Sequence, residues 1–400
     1  DTVEANSGIV AAGPVTFQGD VTLGDGDTAS TFTGRVTTGG NTIDGFDGLN
    51  FDGGLTMTAN TALVSNGSTT SFGNTVDGAF ALDINALAAA AGTVTGLGQI
   101  GNELTRLSIL AHTLSLPGGL AISGPMDFTA AGGITLNGDL GSAAAPATGQ
   151  IDLFSPVTLA ANSNVRTADA DILFHDTIDG AFNLTLNPGT AIVSLDGTVG
   201  GNAALNALDV AGVVNLAGGA VSTTDSQSYG DTTLEAATVL DGSDVTFTGT
   251  IDGDYDLTVN ASNNTRFEGV VGSGTALASI TTDAAGTTVL DTANITTSGT
   301  QDYGDAVTLG TDVTVTGNGV AFRSSINGAQ DLTVAAGSGI ARFEGAVGGS
   351  TGLTLLEVSG SAIELAANIA TDPGVDPVAD PGDITFTGPT TIESDLTVST

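Results

Sequence analysis

Near-identical text recurs along this chain, and that recurrence limits the fold more than any other feature. The stretch TRFEGVVG at 265–272 returns as ARFEGAVG at 341–348. Upstream, IDGDYDLTV at 251–259 matches INGAQDLTV at 326–334, and QSYGD at 227–231 matches QDYGD at 301–305. Older copies read IDGAFNLTL at 178–186 and VDGAFALDI at 76–84. A second signature follows each copy: Leu104/Leu107/Ile109, Leu205/Leu208/Val210, Leu277/Ile280/Thr282 and Leu353/Leu356/Val358. Its starting points give a unit of about 75 residues, with roughly one strand-turn-strand stretch inserted in the first interval. The units run 65–165 (with the insertion), 166–238, 239–313 and 314–388. Leucine-rich repeats need their signature every 20–29 residues, so the Leu-x-x-Leu spelling does not place the chain among them.

Self-similarity at this spacing belongs to arrays in which each unit contacts only its neighbours, so 1–400 reads as one continuous body. Strands are short and alternating (VTFTG at 245–249, DVTVTG at 312–317), and turn residues separate them every 8–12 positions. Glycine is 59 of 400, about twice its usual share, with no Gly-X-Y period. A sandwich has no reason to repeat one sentence four times, whereas a solenoid buries each coil against the next. The expectation is an all-β, right-handed parallel β-helix built from ~75-residue repeats. Coils of roughly 20–25 residues put three or four in each repeat, and ~18 coils at ~4.8 Å give a rod on the order of 85 Å. Phe247, Phe267, Phe322 and Phe343 fall at strand centres and are expected to stack inward.

The charge is extreme: 44 acidic residues against six arginines and no lysine, a net −38. Nucleic acid is excluded, because its binding rests on neutralising phosphates. Insertion in a membrane is not expected either, since no run approaches ~20 apolar residues. Self-repulsion favours a saline or calcium-bearing exterior, where screening is strong. Cysteine is absent, so neither disulfides nor thiolate chemistry enter. With no initiator Met, and with DITFTGPTTIESDLTV at 383–398 reading as ordinary repeat text, the chain is expected to be a processed piece or window of a longer polypeptide.

The Gly-, Thr- and Val-rich units, with DGxxDLTV followed by RFEGxVG and LxxLxV, resemble the β-solenoid repeats of large bacterial surface proteins. These are the filamentous-haemagglutinin-like exoproteins and autotransporter-type adhesins. The resemblance is one of repeat style and covers most of the chain. It implies secretion and a surface or matrix role, and it carries over no catalytic residues.

Candidate chemistry is sparse. His112 and His175 lie 63 residues apart without a shared partner pattern and read as isolated surface or turn histidines. Polysaccharide-active β-helix enzymes need basic groups and sugar-stacking aromatics, and 18 aromatics with six arginines argue against one. No cofactor is required by anything in the sequence. Arg266 and Arg342 each precede a glutamate by two, Glu268 and Glu344, which on a strand puts the pair on one face as a solvated register clamp. The Asp/Pro-rich segment 371–383 reads as an exposed loop; a calcium-rigidified alternative would use Asp372, Asp376, Asp380 and Asp383.

The expected function is therefore a non-enzymatic, extracellular β-solenoid of a surface layer, filament or matrix. Its expected partners are copies of itself, joined head-to-tail through open solenoid ends. The alternative is the stalk of a secreted adhesin that binds a host surface or polysaccharide, and a β-helix enzyme acting on polysaccharide comes third.

Overall fold

The computed structural model describes residues 3–5, 8–24, 28–87, 91–141, 147–371, 383–393 and 395–400. Apart from one 3₁₀ turn at Leu97–Gln99, the regular structure of the described residues is β-strand, in short segments except for Thr238–Phe247 and Asp256–Phe267, which each run through a corner from one face to the next. All the strand pairs described are parallel, and each strand pairs with the one about 21 residues on, which makes a parallel β-solenoid. The expected fold class is found. The chain forms two compact units, Asp1–Leu205 and Asn206–Thr400.

One turn of the N-terminal unit runs Thr42–Gly45, Leu49–Phe51, Leu55–Met57. These three strands belong to three separate ladders, named here faces 1, 2 and 3. Alternation decides what each face buries. On face 1, Ile43, Leu63, Ile84, Ile109, Phe128, Leu153, Phe174 and Leu195 are in register, one per turn. All eight are at most 2% exposed. Because the strand period is two, each outward neighbour is left to water, and any slip by one residue would invert the whole file. On face 2, Phe32, Phe51 and Phe72 stack in the same way at 5.6 Å spacing.

In the C-terminal unit one turn runs Ala306–Leu309, Val313–Thr316, Val320–Phe322, here faces I, II and III. The expected phenylalanine file exists, but it is two files. Tyr229, Phe247 and Phe267 stack on face I at 5.5 Å, and Tyr303, Phe322 and Phe343 stack on face III at 5.0 and 5.5 Å. All six rings are at most 1% exposed.

That difference exposes the true period. The copies at 178, 251 and 326 begin eleven strand positions apart, which is three full turns and two faces; the first interval, from 76 to 178, holds one further turn. Phe267 on face I therefore reappears as Phe343 on face III, while Leu257 on face III reappears as Leu332 on face II. The structural period is the turn of about 21 residues, and the ~75-residue interval is not a whole number of turns. What is copied is an internal arrangement. Gln227 and Gln301, both buried, take the Tyr229 and Tyr303 hydroxyl at 2.8 Å through Oε1. Their amides donate to Thr223 and Thr297 Oγ1 at 3.2 Å, and to the carbonyls of Asp241 and Thr316 in the next turn.

The Asp/Asn-Gly corner inside the repeat is one of the tight points of the winding. Gly253 has φ +128° and Gly328 φ +138°. A Cβ on Gly253 would stand 2.4 Å from the carbonyl oxygen of Leu234 in the preceding turn. Side chains rarely adopt that φ, so Gly253→Ala is expected to cost roughly 1–3 kcal/mol from strain alone. Chemical denaturation of the variant measures it; an unchanged midpoint would contradict the winding described.

Candidate functional site

The densest chemistry in the N-terminal unit lies on the outer side of face 1, on side chains that alternate with the apolar file over six consecutive turns. The row is staggered: Asp83, Asp127 and Asp152 share one register with Ser108, Leu173 and Ser194, Arg106 lies two positions before it, and His175 and Asp196 lie two positions after it. Its members touch in sequence. Arg106 Nη2 donates to Asp83, and its Nε lies 4.0 Å from Asp127 Oδ2. Asp127 and Asp152 stand in register on adjacent turns. Burial first, and the neighbouring Asp152 charge second, push the Asp127 carboxyl up. Asp152 is only 8% exposed although it points outward. Gln150 Nε2 donates to both its oxygens at 2.9 and 2.7 Å, and His175 Nε2 stands 3.5 Å away.

His175 Nδ1 is 2.8 Å from Asp196 Oδ2, and Ser194 Oγ donates to the other Asp196 oxygen at 2.5 Å. The imidazole stacks on the half-exposed Phe154 ring at 4.7 Å and 12°. His175 is thus not isolated, contrary to the sequence expectation. Its partners come from the preceding and following turns, 23 residues before and 21 after, where a local motif cannot reach. His112, half-buried at the corner between Arg106–Ala111 and Thr113–Pro117, has no such flanking pair among the described residues.

No group of three His, Asp or Glu among the described residues is arranged to hold a metal ion. Of the calcium-loop residues, Asp372, Asp376 and Asp380 lie outside the described residues; Asp383 is described and exposed.

The C-terminal unit carries a second row, on face III. Arg323 grips Asp302 with two nitrogens at 2.9 and 2.8 Å and reaches Glu344 at 2.6 Å. Arg342 lies 2.9 Å from Glu344, 3.1 Å from Glu364 and 3.6 Å from Glu393. Arg266 makes the expected contact with Glu268 at 2.6 Å and adds Asp291 from the next turn. The arginines therefore tie successive turns together, where sequence spacing had shown only the same-strand partner. These pairs are close to half-exposed, so each is worth at most ~1 kcal/mol.

Comparison with known proteins finds no match to any family model, any curated protein or any solved structure.

Proposed function

We propose that this chain is a non-catalytic structural β-solenoid of an extracellular surface layer, filament or matrix, which extends by strand addition at its ladder edges. The observation that carries the reading is the turn-to-turn stacking itself: every described strand pair is parallel, and each turn sets its apolar file against the next. A parallel ladder is a template for a further parallel strand at its edge. Whether more of the same polypeptide or a second copy supplies it, the contact is head-to-tail and propagates. The excess of carboxylates opposes sideways association while leaving axial growth open. The style resemblance to bacterial surface solenoids and the need for charge screening support an extracellular setting.

Sedimentation velocity and negative-stain imaging of the purified 400-residue chain test the proposal. Filaments that lengthen with protein concentration are expected; a monodisperse monomer at every concentration would overturn it. A separate expectation concerns the charge of −38. Raising NaCl from about 0.1 to 1 M shortens the screening length from ~10 to ~3 Å, so the melting temperature should rise across that range. A melt indifferent to salt would mean that the carboxylates do not repel one another appreciably.

A further inference from the structure

We infer that the outer side of face 1 in the N-terminal unit is a binding strip for an uncharged, unbranched polysaccharide, which lies along the unit's axis from Asp83 to Asp196. Four features of the strip converge on that ligand. Its polar groups are spread, staggered by two positions along the strands, over six turns at ~4.8 Å per turn, a strip of about 24 Å in which Leu173 takes one register position. Donors (Arg106, Gln150, His175) and acceptors (the four aspartates) are interspersed along it, as a chain of hydroxyls with both capacities requires. Phe154, 48% exposed and held flat against His175, provides a fixed apolar ledge for the carbon–hydrogen face of a sugar ring. At the Asp83 end the strip opens into a shallow depression of about 350 Å³ lined in part by Asp83, Arg106 and Ser108.

The geometry is set in advance. Asp152 is nine-tenths buried between Gln150 and His175, so the central acceptor does not have to be ordered when the ligand arrives. Charge narrows the class further. Four aspartates against one arginine and one histidine repel uronates, sulfated sugars and nucleic acid. A second copy of this chain would set −38 against −38. A peptide strand would need a free ladder edge, and the flanks of this face are paired turn to turn. No bond is made or broken in this role, and it does not depend on end-to-end assembly.

Isothermal titration of the full chain with cellohexaose, xylohexaose and mannohexaose tests the inference, with hexagalacturonate as the charged comparison. At least one neutral hexaose should bind, and the uronate should not. Phe154→Ala and His175→Ala should each weaken binding roughly tenfold, the loss of one stacking ledge. Phe154→Trp should restore or tighten it. Tyr255→Ala, which removes an exposed ring in the other unit, should change nothing. Circular-dichroism melts show that each variant is folded, and sedimentation of the same samples reports assembly separately, so the two proposals can fail independently. Absence of binding by all three neutral hexaoses at about millimolar concentration would overturn the inference. So would equal binding of the uronate, or an equal loss in Tyr255→Ala.

Discussion

Phe267→Ala should destabilise the C-terminal unit by roughly 3–5 kcal/mol, the cost of emptying a fully buried aromatic site that cannot collapse. Phe267 is 0% exposed and lies 5.5 Å from Phe247, with Leu290 in register in the next turn. The ladders hold its surroundings at a fixed strand spacing, so neighbouring side chains have little freedom to fill the void. Damage should stay local, because each turn of a stacked array contacts only the turns beside it. Phe343→Ala should cost a similar amount, since Phe343 occupies the corresponding site on a different face. Hydrogen exchange resolved by turn would show protection lost around Phe247–Leu290 in the first variant and around Phe322–Leu365 in the second. Equal loss of protection throughout both units would contradict the turn-by-turn stacking.

Asp305→Asn is expected to stabilise the protein at neutral pH by about 1–3 kcal/mol. Asp305 is 2% exposed; Thr282 and Thr288 donate to its Oδ1 at 3.1 and 2.7 Å, while Oδ2 has no partner among the described residues. Burial raises its pKa above the ordinary 3.8. An acid whose pKa is raised on folding binds more protons in the folded state between the two values, so stability falls as pH rises through that window. Below pH ~3.8, where Asp305 is protonated in both states, the variant and the parent should be nearly equal. Above the raised value the difference should be full and constant. Urea titrations from pH 3 to 8 measure it. A variant that is less stable than the parent at pH 7 would mean that the carboxylate is satisfied by a group not seen here.

The corresponding residue of the previous repeat, Asp231, is exposed, and it accepts from the Thr250 amide and hydroxyl at 2.8 and 3.1 Å. The words QSYGD and QDYGD thus carry opposite burial at their last letter. This shows what a linear reading can and cannot recover. Alternation and turn residues made the parallel solenoid and the inward phenylalanines legible, because both follow from the two-residue period of a strand. The faces on which those phenylalanines fall were not legible. Similarity between segments reports common wording, while the winding is set by corner lengths, and eleven strands do not close a whole number of three-strand turns. Lateral contacts were hidden for a related reason. Asp152, His175 and Asp196 are neighbours across turns, separated in sequence by 23 and 21 residues, so a motif search within a few positions finds three unrelated words. Pairing residues at the turn length would have found them.

The central claim, that strands perpendicular to the axis continue their parallel ladders from one chain to the next, is tested most directly by X-ray diffraction from oriented filaments of the purified chain. Strands stacked along the filament predict a strong meridional reflection at about 4.8 Å. The same reflection on the equator, or its absence from well-oriented filaments, would contradict it.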